Sequence, residues 1–504
     1  MKGANVETKS TRRSLMNIKR IIIVVFSISI IITSFLLSQD SVSSNYFDIF
    51  IKNDDVFLNY NLQDKGTIKV YKNESNKLVY KRKLTNRKGK MHFNKLAKNQ
   101  IYKFCFYNDK GKRIIKKEKF IYDYKVISEL PIISLNTEEN KIPKADVLYP
   151  EDPLSCWGYT TINNTKVDGI MDMYKDGDLA YSGKMSFRIR GNTSSAGVRK
   201  PSYKLELKQS MDLLFRTTSD YKSKEWYLLN CGNNINTVIS SLLAQQINRG
   251  WAPKFEMVSL LINNDYRGTY LLYEKVKSPN RMGIKNSGFL IENDPYWWKP
   301  ETEFFRTENQ MIPMAYTYIK PKFDEDNEIY DYMSLIDSKI EGRDKDLFDY
   351  LDIDSAVDWI LSQDIILQED YAGSNLFLYR EDNKSLLKFG PSWDFDLTLT
   401  SENPNQFAGI HNIDVSVFFP ELFDYVNFKN EYRNRLLEIE KPIVEYYETL
   451  TGDLRNKSNM LQKINKIESN RYKKDEKNIN DELDRIDALF YSHMEWLLQE
   501  TENW

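Results

Sequence analysis

The stretch Gln363–Thr398 constrains this chain most, because it combines two apolar runs with closely spaced acidic and amide side chains. It begins as the end of an amphipathic helix and continues into a loop with Asp370 and, five residues later, Asn375. The apolar runs that follow are separated by a polar turn, which predicts two paired strands. The second run leads directly to Asp394 and Asp396. We therefore expect one end of a strand pair to gather three carboxylates and an amide.

This set of groups is suited to magnesium-dependent phosphoryl transfer. One carboxylate accepts the proton of the attacking hydroxyl, while an amide and another carboxylate hold the metal on the phosphates. Protein kinases place a metal-binding Asn five residues after an Asp and follow it with Asp-Phe-Gly. Asp370 and Asn375 keep that spacing, and Asp394-Phe395-Asp396 stands in place of Asp-Phe-Gly, although Gln368-Glu369 replaces the usual His-Arg. Ordinary turn hydrogen bonds are the alternative use of Asp370 and Asn375.

The whole chain sets wider limits. Its 504 residues predict two to four domains with a large core. A net charge of −1 gives no reason to expect a nucleic-acid partner. The three cysteines (105, 156 and 231) are scattered and odd in number, so they predict neither a disulfide framework nor a zinc cluster. The three histidines are isolated from one another, which argues against Ser-His-Asp catalysis.

The N-terminal residues predict export. Residues 1–20 contain six Lys and Arg against one acid, Glu7, and residues 21–37 are almost entirely apolar. This pattern predicts a transmembrane signal anchor with residues 1–20 in the cytoplasm and the main domains outside it. A cleaved signal peptide, with cleavage near Val42-Ser43-Ser44, is the alternative and would give a secreted protein.

Three further regions follow. Alternating short strands over residues 47–124 predict a small β-sandwich, whose many lysines we interpret as a solvated strand face. The main domain is expected at residues 131–440. Residues 441–504 are helical and highly charged, and predict a helical C-terminal extension.

A Gly/Ser/Thr loop between two predicted strands, in residues 187–208, is a candidate triphosphate cradle. An ordinary hairpin with a polar tip is the alternative. Glu274, at the end of a later strand, could meet an adenine or pair with a phosphate-binding lysine, or could be a surface residue. The candidate contacts in and around the loop are Arg190, Asn192, Ser194, Lys200 and Lys204.

The chain resembles the spore-coat protein H (CotH) kinase-like family over roughly residues 131–440. Five blocks carry the resemblance, in the family's order: RIRGNTSS…RKPSYKLELK, WYLLN, VSLLINNDYRGTYLLYEKV, GFLIEND and D-x-x-x-x-N…WDFD. The resemblance implies an α+β, atypical protein-kinase-like fold of two lobes, with ATP and Mg²⁺ in the cleft. It also implies phosphorylation of serines on spore-coat proteins.

Carried over to this sequence, the resemblance makes Asp370 the catalytic aspartate and Asn375 a metal ligand. The second metal-binding acid is Asp394, with Asp396 close behind. One departure is present: the family's Asp-x-Ser-x-x-Arg after the WxLL strand is replaced here by residues 234–239, which carry no charge.

Two main hypotheses follow. The first is a membrane-anchored, exported atypical kinase that transfers the γ-phosphoryl group of ATP to Ser/Thr hydroxyls of coat or surface proteins, with Ser-rich ones as candidate partners. The second is a catalytically weak or inactive kinase-like assembly protein, which the missing charges at residues 234–239 favour. Nucleotidylation stays open as another transfer, whereas the RGNTSS loop argues against a two-metal hydrolase.

Overall fold

The computed structural model describes most of the chain beyond residue 44. Ser194 and the predicted signal anchor at residues 21–37 lie outside the described residues. Within the described part, no helix is both long and apolar enough to span a bilayer. The described residues are 45–52, 54–152, 158–162, 165–192, 195, 198–231, 234–300, 302–310, 313–370, 374–408 and 419–504.

The described strands fall into four larger structural groups. They are β1 (Tyr46–Lys52), β2 (Asp55–Asn61), β3 (Gly66–Lys72), β4 (Leu78–Lys83), β5 (Lys88–Phe93), β6 (Gln100–Asn108), β7 (Arg113–Ile121), β8 (Ile132–Thr137), β9 (Asp146–Leu148), β10 (Thr160–Ile162), β11 (Val167–Lys175), β12 (Asp178–Arg190), β13 (Ser202–Met211), β14 (Ser223–Leu229), β15 (Phe255–Ile262), β16 (Asp265–Glu274), β17 (Phe289–Asp294), β18 (Phe304–Phe305), β19 (Ala315–Lys320), β20 (Leu376–Arg380) and β21 (Lys388–Phe389).

The described α-helices lie mainly in the second half of the chain. They are α1 (Tyr124–Ile127), α2 (Ile235–Ile247), α3 (Glu328–Gly342), α4 (Ile353–Ile365), α5 (Phe419–Leu422), α6 (Val426–Asn456), α7 (Ser458–Tyr472) and α8 (Ile479–Glu500). Together with the strands they make the described chain an α+β protein.

The first seven strands form two antiparallel sheets, in the orders β1-β2-β5 and β4-β3-β6-β7. Side chains on β2 and β3 alternate between buried and partly exposed positions, as the period of two requires. Leu58 of one sheet and Ile68, Val70 and Phe104 of the other are fully buried in the same core. The two sheets therefore pack face to face.

The next strands close into a seven-stranded barrel in the order β11-β12-β13-β14-β16-β15-β8. Its neighbours pair antiparallel except β15 with β8, which are parallel. Trp226, Tyr270 and Leu272 fill the interior together with aliphatic side chains. The outer face of the barrel is thus free to carry polar side chains and to contact other elements.

A separate five-stranded sheet, in the order β18-β19-β17-β20-β21, packs with the helices around the largest core. Helix α4 begins at its N-cap Asp352, whose carboxylate accepts a hydrogen bond from the Ser355 N–H at 2.9 Å. Its Ile360 and Leu361 are fully buried. The loop that carries Asp370 follows the C-terminal end of helix α4.

The C-terminal helices pack in this same core, across the predicted boundary at residue 440. Helix α6 runs through that position without interruption, and its Leu436 and Ile443 are buried on either side of it. Phe490 of α8 is fully buried in the same core. Residues 441–504 therefore complete the main domain, because their apolar stripes cover the core while their charges face outward.

One buried ion pair joins the barrel to these helices. The Lys200 ammonium lies 2.5 Å from Glu468 Oε1 of α7 and donates to the Thr269 carbonyl at 2.8 Å. Glu468 Oε2 accepts the Thr269 N–H at 2.9 Å. Both charged side chains are almost fully buried. Each charge is therefore tolerated only in the presence of the other.

We predict that Glu468→Ala destabilises the main domain by about 3 kcal/mol or more, because it leaves the Lys200 ammonium buried without a counter-ion. The matched control is Lys466→Ala, an exposed site on the same helix, which should change the free energy of unfolding by less than about 0.5 kcal/mol. Chemical denaturation measures both. Equal, small effects of the two substitutions would contradict a structural role for this pair.

Candidate active site

Antiparallel pairing brings three strand ends to one place. Strand β17 pairs with β20 so that Asn293 lies opposite Leu376. The exit of β17, which carries Asp294, therefore lies beside Asn375 at the entry of β20. Strand β21 also runs antiparallel to β20, so the chain that leaves it, residues 390–396, returns toward the same end of the sheet.

Hydrogen bonds fix the loops at this end. The Gln368 side-chain amide donates to the Asp394 carbonyl at 3.0 Å, and the Glu369 N–H donates to the Leu397 carbonyl at 3.1 Å. Asn375 Nδ2 donates to the Asp370 carbonyl at 2.7 Å. This last bond is the turn interaction that the sequence left open as an alternative for Asp370 and Asn375. The bond also holds the Asn375 side chain beside the acids.

Two residues at the site adopt left-handed backbone conformations. Asp394 has a φ of 64° and Ser374 has a φ of 62°. Such conformations are uncommon for residues other than glycine and cluster at functional sites. Ser374 is held by its hydroxyl, which donates to Asp294 Oδ1 at 2.8 Å. Backbone strain is therefore located where the acidic side chains meet.

The three aspartates of the site act on one another electrostatically. Burial, followed by the Asp394 charge, raises the pKa of Asp370 to about 6. The Asp396 side chain is exposed to solvent. Desolvation by the surrounding protein is nevertheless the largest cause that raises its pKa, and the charges of Asp394 and Asp370 add to it, so that the pKa is about 7. Burial also raises the pKa of Asp394, and the Arg190 charge opposes that shift. The Asp394 charge thus raises the pKa of both Asp370 and Asp396, and the Asp370 charge raises that of Asp396, so the three carboxylates form a region of negative potential.

Cations face this cluster from the barrel side. The Arg190 guanidinium stacks over Tyr227, 4.2 Å from its ring centroid, and lies 5.2 Å from the Trp393 centroid. These rings hold the guanidinium at the end of β12, within electrostatic reach of Asp394. The Trp393 indole N–H is buried and has no hydrogen-bond partner among the described residues. It is a donor that a bound acceptor could satisfy.

Two lysines complete the cationic side. Lys277 forms an ion pair with the buried Glu292, and Lys299 Nζ contacts Asn192 Oδ1. Burial acts to lower the pKa of Lys277, but Glu292 and Asp294 outweigh it and the pKa is raised. Burial raises the pKa of Glu292 to about 7, against the opposing effect of Lys277. For Lys299 burial prevails over Asp294 and Glu292, so its pKa is lowered.

The donor set fits a hard cation bound together with phosphates. Carboxylate and amide oxygens are the ligands that Mg²⁺ prefers, and Mg²⁺ is usually held by only one or two carboxylates plus substrate phosphates and water. Across the described residues, no three Asp, Glu, His or Cys side chains are grouped so that they could hold a metal ion by themselves. Arg190, Lys277 and Lys299 supply the positive charge that a polyphosphate requires.

The structure brings together most, but not all, of the residues singled out from the sequence. The ones at this end of the sheet are Arg190, Asn192, Asp370, Asn375, Asp394 and Asp396. Asn192 is held by the Thr160 hydroxyl, which donates to its Oδ1 at 2.9 Å. Ser194 lies outside the described residues, so its proposed contact stays a prediction.

Three predicted nucleotide contacts have other partners. Lys200 is buried against α7, as described above, so its ammonium cannot face the cleft. Lys204 forms ion pairs with Glu225 and Glu206 on the outer face of the barrel. Glu274 Oε1 accepts from Arg216 at 2.7 Å and its Oε2 accepts from the Lys254 N–H at 2.8 Å. Lys200 and Lys204 therefore do not line the predicted triphosphate cradle in this structure, and the Glu274 carboxylate is bound by Arg216 and the Lys254 N–H rather than directed at an adenine.

Sequence reasoning missed the second half of the site. It noted the block GFLIEND without assigning roles to Glu292 and Asp294, and it passed over Lys277 and Lys299. The available signal was a pair of acids at the end of a buried strand, since charged residues rarely continue such a run without a partner. Which lysines meet these acids depends on long-range packing and was not visible in the sequence.

The uncharged segment 234–239 lies next to this site. It forms the beginning of α2, and its Asn236 side chain donates to the Thr398 carbonyl at 2.7 Å. Thr398 lies two residues after Asp396 in the sequence. A neutral amide thus makes the link from α2 to the Asp394–Asp396 loop in this chain.

A family model described as CotH kinase protein matches residues 187–497, which is more than half of the chain. The match contains every residue of the site, from Arg190 to Asp396. It also extends into α8, which agrees with the C-terminal helices being part of the main domain. No curated protein matches the chain.

We predict that Asp396→Asn stabilises the cation-free protein at pH 8 and much less at pH 5. The folded-state pKa of Asp396, about 7, lies above the unfolded value near 4. Ionisation of Asp396 therefore costs stability above pH 7, and this cost is lost as the pH falls through 7 toward 4. The gain in Tm at pH 8 should be about 2 °C, given the exposure of the side chain.

Addition of Mg²⁺ at pH 8 should reverse the order, because the wild-type cluster gains a counter-ion and the variant has lost a carboxylate. Thermal unfolding at both pH values, with and without Mg²⁺, measures this. Asp331→Asn, an exposed site on α3, is the matched control and should show no such pattern. A pH-independent effect of Asp396→Asn would contradict the repulsion of the Asp396 carboxylate by Asp394 and Asp370.

Proposed function

Because this chain belongs to the CotH kinase protein family, we propose that it transfers the γ-phosphoryl group of ATP to Ser or Thr hydroxyls of a protein substrate with Mg²⁺. The observation that carries the proposal is the convergence of Asp370, Asn375, Asp394 and Asp396 opposite the cations Arg190, Lys277 and Lys299. We also propose that the domain is two-lobed and kinase-like, with the barrel on one side of the cleft and the helical core on the other.

Each side chain has a role in this scheme. Asn375 and Asp394 would hold the metal ion, with Asp396 as a further ligand. Arg190, Lys277 and Lys299 would contact the phosphate oxygens, and Glu292 would orient Lys277. Bound Mg²⁺ supplies positive charge that offsets the negative charge on the transferring group. The aromatic rings of Tyr227 and Trp393 keep the Arg190 guanidinium in place without neutralising it.

Asp370 would act on the acceptor hydroxyl. Its carboxylate accepts the hydroxyl proton as the new oxygen–phosphorus bond forms and the bond to the β-phosphate oxygen breaks, so that ADP leaves. A pKa of about 6 keeps Asp370 mostly ionised at neutral pH, while making it a stronger base than an ordinary carboxylate. The hydrogen bond from Gln368 to the Asp394 carbonyl ties the base loop to the metal loop.

The cellular setting is also a proposal. The basic residues 1–20 and the apolar residues 21–37 support an anchored protein with its main domains outside the cytoplasm. Coat or surface proteins would then be the substrates, and spore-coat association would follow from the family. ATP would have to be present in that compartment, or the substrate would have to be modified during assembly.

A second candidate function has one observation in its favour. The family's charges near the start of α2 are absent here, and the neutral Asn236 makes the contact with Thr398 instead. If those charges support catalysis, the chain could be a kinase-like assembly protein with little or no transfer activity. The complete set of Asp370, Asn375 and Asp394 supports the active enzyme over this alternative.

We predict that Asp370→Asn lowers the rate of phosphoryl transfer about a thousandfold while leaving nucleotide affinity nearly unchanged, because it removes the base without removing a metal ligand. Transfer of labelled γ-phosphate from ATP to an immobilised library of Ser-containing peptides measures the rate. Asp331→Asn serves as the control and should retain full activity. Absence of transfer by wild-type protein, despite Mg²⁺-dependent ATP binding, would favour the assembly protein.

A further inference from the structure

The charge of this chain is concentrated in one module. Residues 45–124, which form the two packed sheets, contain 20 Lys and Arg against 8 Asp and Glu. This segment has a net charge of +12, whereas the whole chain has a net charge of −1. The remainder therefore carries −13. A module this basic in a nearly neutral chain is unusual enough to require an explanation beyond solubility.

The strand register gathers many of these cations on one surface. In the sheet β4-β3-β6-β7, Lys69 lies opposite Lys81, and Thr67 lies opposite Lys83. Residues directly opposite each other share a face of the sheet. The same face continues onto β6 and β7, where Cys105 lies opposite Lys116. We call this surface the basic face; its cations are Lys69, Lys81, Lys83, Lys103, Arg113 and Lys116.

Few acids oppose these cations. Glu118 is the acid paired across the face, with its carboxylate 3.0 Å from Lys116. Within the described residues, Lys81, Lys83 and Arg113 form no ion pair, and Lys69 instead lies over the Tyr107 ring at 4.5 Å. Lys81, Lys83 and Arg113 are exposed. The charge of the basic face is therefore available to a partner.

The barrel does not cover this face. The module is fixed to the barrel through Asn264, whose side chain bonds both the N–H and the carbonyl of Ile51. The Asn264 carbonyl also accepts from Lys119 Nζ at 2.6 Å. Ile51 belongs to the other sheet, and Lys119 lies at the far end of β7. The exposed cations listed above make no hydrogen bond or ion pair with the barrel or the helical core.

We propose that the basic face lies against an anionic phospholipid surface. A four-stranded sheet face with several unpaired cations suits a surface of phosphate headgroups, since each Lys or Arg near such a surface adds to binding. The predicted anchor at residues 21–37 ends only nine residues before β1. Residues 38–45, even if fully extended, span no more than about 29 Å. This short connection would keep the module at the bilayer.

The consequence concerns the orientation of the whole protein. With one sheet face on the membrane and the Asn264 contacts holding the barrel to the module, the cleft would be presented at a fixed height and direction. The acidic remainder of the chain would be repelled from the same anionic surface. The opposite charges of the two parts thus favour one orientation.

Vesicle sedimentation of residues 45–504, which include every described element, tests the proposal without the anchor. The protein should bind vesicles of phosphatidylcholine mixed with phosphatidylglycerol, but not phosphatidylcholine alone. Binding should be lost at about 0.5 M salt because the interaction is screened. The variant Lys69→Gln/Lys81→Gln/Lys83→Gln should bind about 100-fold more weakly, at roughly fivefold per cation.

The matched control is Lys65→Gln/Lys88→Gln/Lys95→Gln, which makes the same change in net charge at exposed positions outside the basic face. It should weaken binding less than about tenfold. Equal loss in both triple variants would show attraction by net charge alone and would overturn the proposal. Failure of wild-type protein to bind anionic vesicles, or its capture by an acidic protein but not by vesicles, would overturn it as well. Unchanged thermal unfolding of both variants shows that neither result reflects misfolding.

Discussion

The antiparallel pairing of β20 with both β17 and β21 is the constraint on which the site depends. It places the exit of one strand, the entry of the next and the exit of a third at the same end of one sheet. Asp294, Asn375 and the Asp394–Asp396 loop meet there as a result. A one-residue shift in the register of β20 would turn its side chains to the opposite face and disperse the group. The chemistry of the site is therefore a consequence of strand register.

The rest of the structure supports this arrangement from two sides. The barrel contributes Arg190, whose guanidinium is held by the rings of Tyr227 and Trp393. These two rings belong to the apolar cluster through which the outer face of the barrel packs on the five-stranded sheet. The C-terminal helices support the site by contacting helix α4. The buried Asp364 of α4 accepts from the Tyr432 hydroxyl at 2.8 Å, and its carbonyl lies 2.8 Å from His493 Nε2. Removal of these helices would expose the core beneath the loop that carries Asp370.

The sequence predicted local features well and long-range partners poorly. Alternation and turn residues indicated the strands of residues 47–124, and the amphipathic pattern after Asp352 indicated helix α4. The spacing of Asp370, Asn375 and Asp394 selected the acidic half of the site, because those residues are close in sequence. The cationic half could not be predicted in the same way. Nothing in the local sequence distinguishes Lys277 from Lys200. Lys277 forms an ion pair with Glu292 in the cleft, whereas Lys200 forms one with Glu468 of helix α7, 268 residues away in the sequence.

The central claim is that this end of the sheet binds ATP through a metal ion, with separate residues for the metal and for the acceptor proton. Calorimetric titration of residues 45–504 with ATP, with and without Mg²⁺, tests it most directly. We expect Mg²⁺-dependent binding that is lost in Asp394→Ala and retained in Asp370→Ala. Binding of ATP that is absent, or independent of Mg²⁺, or lost equally in both variants, would contradict it.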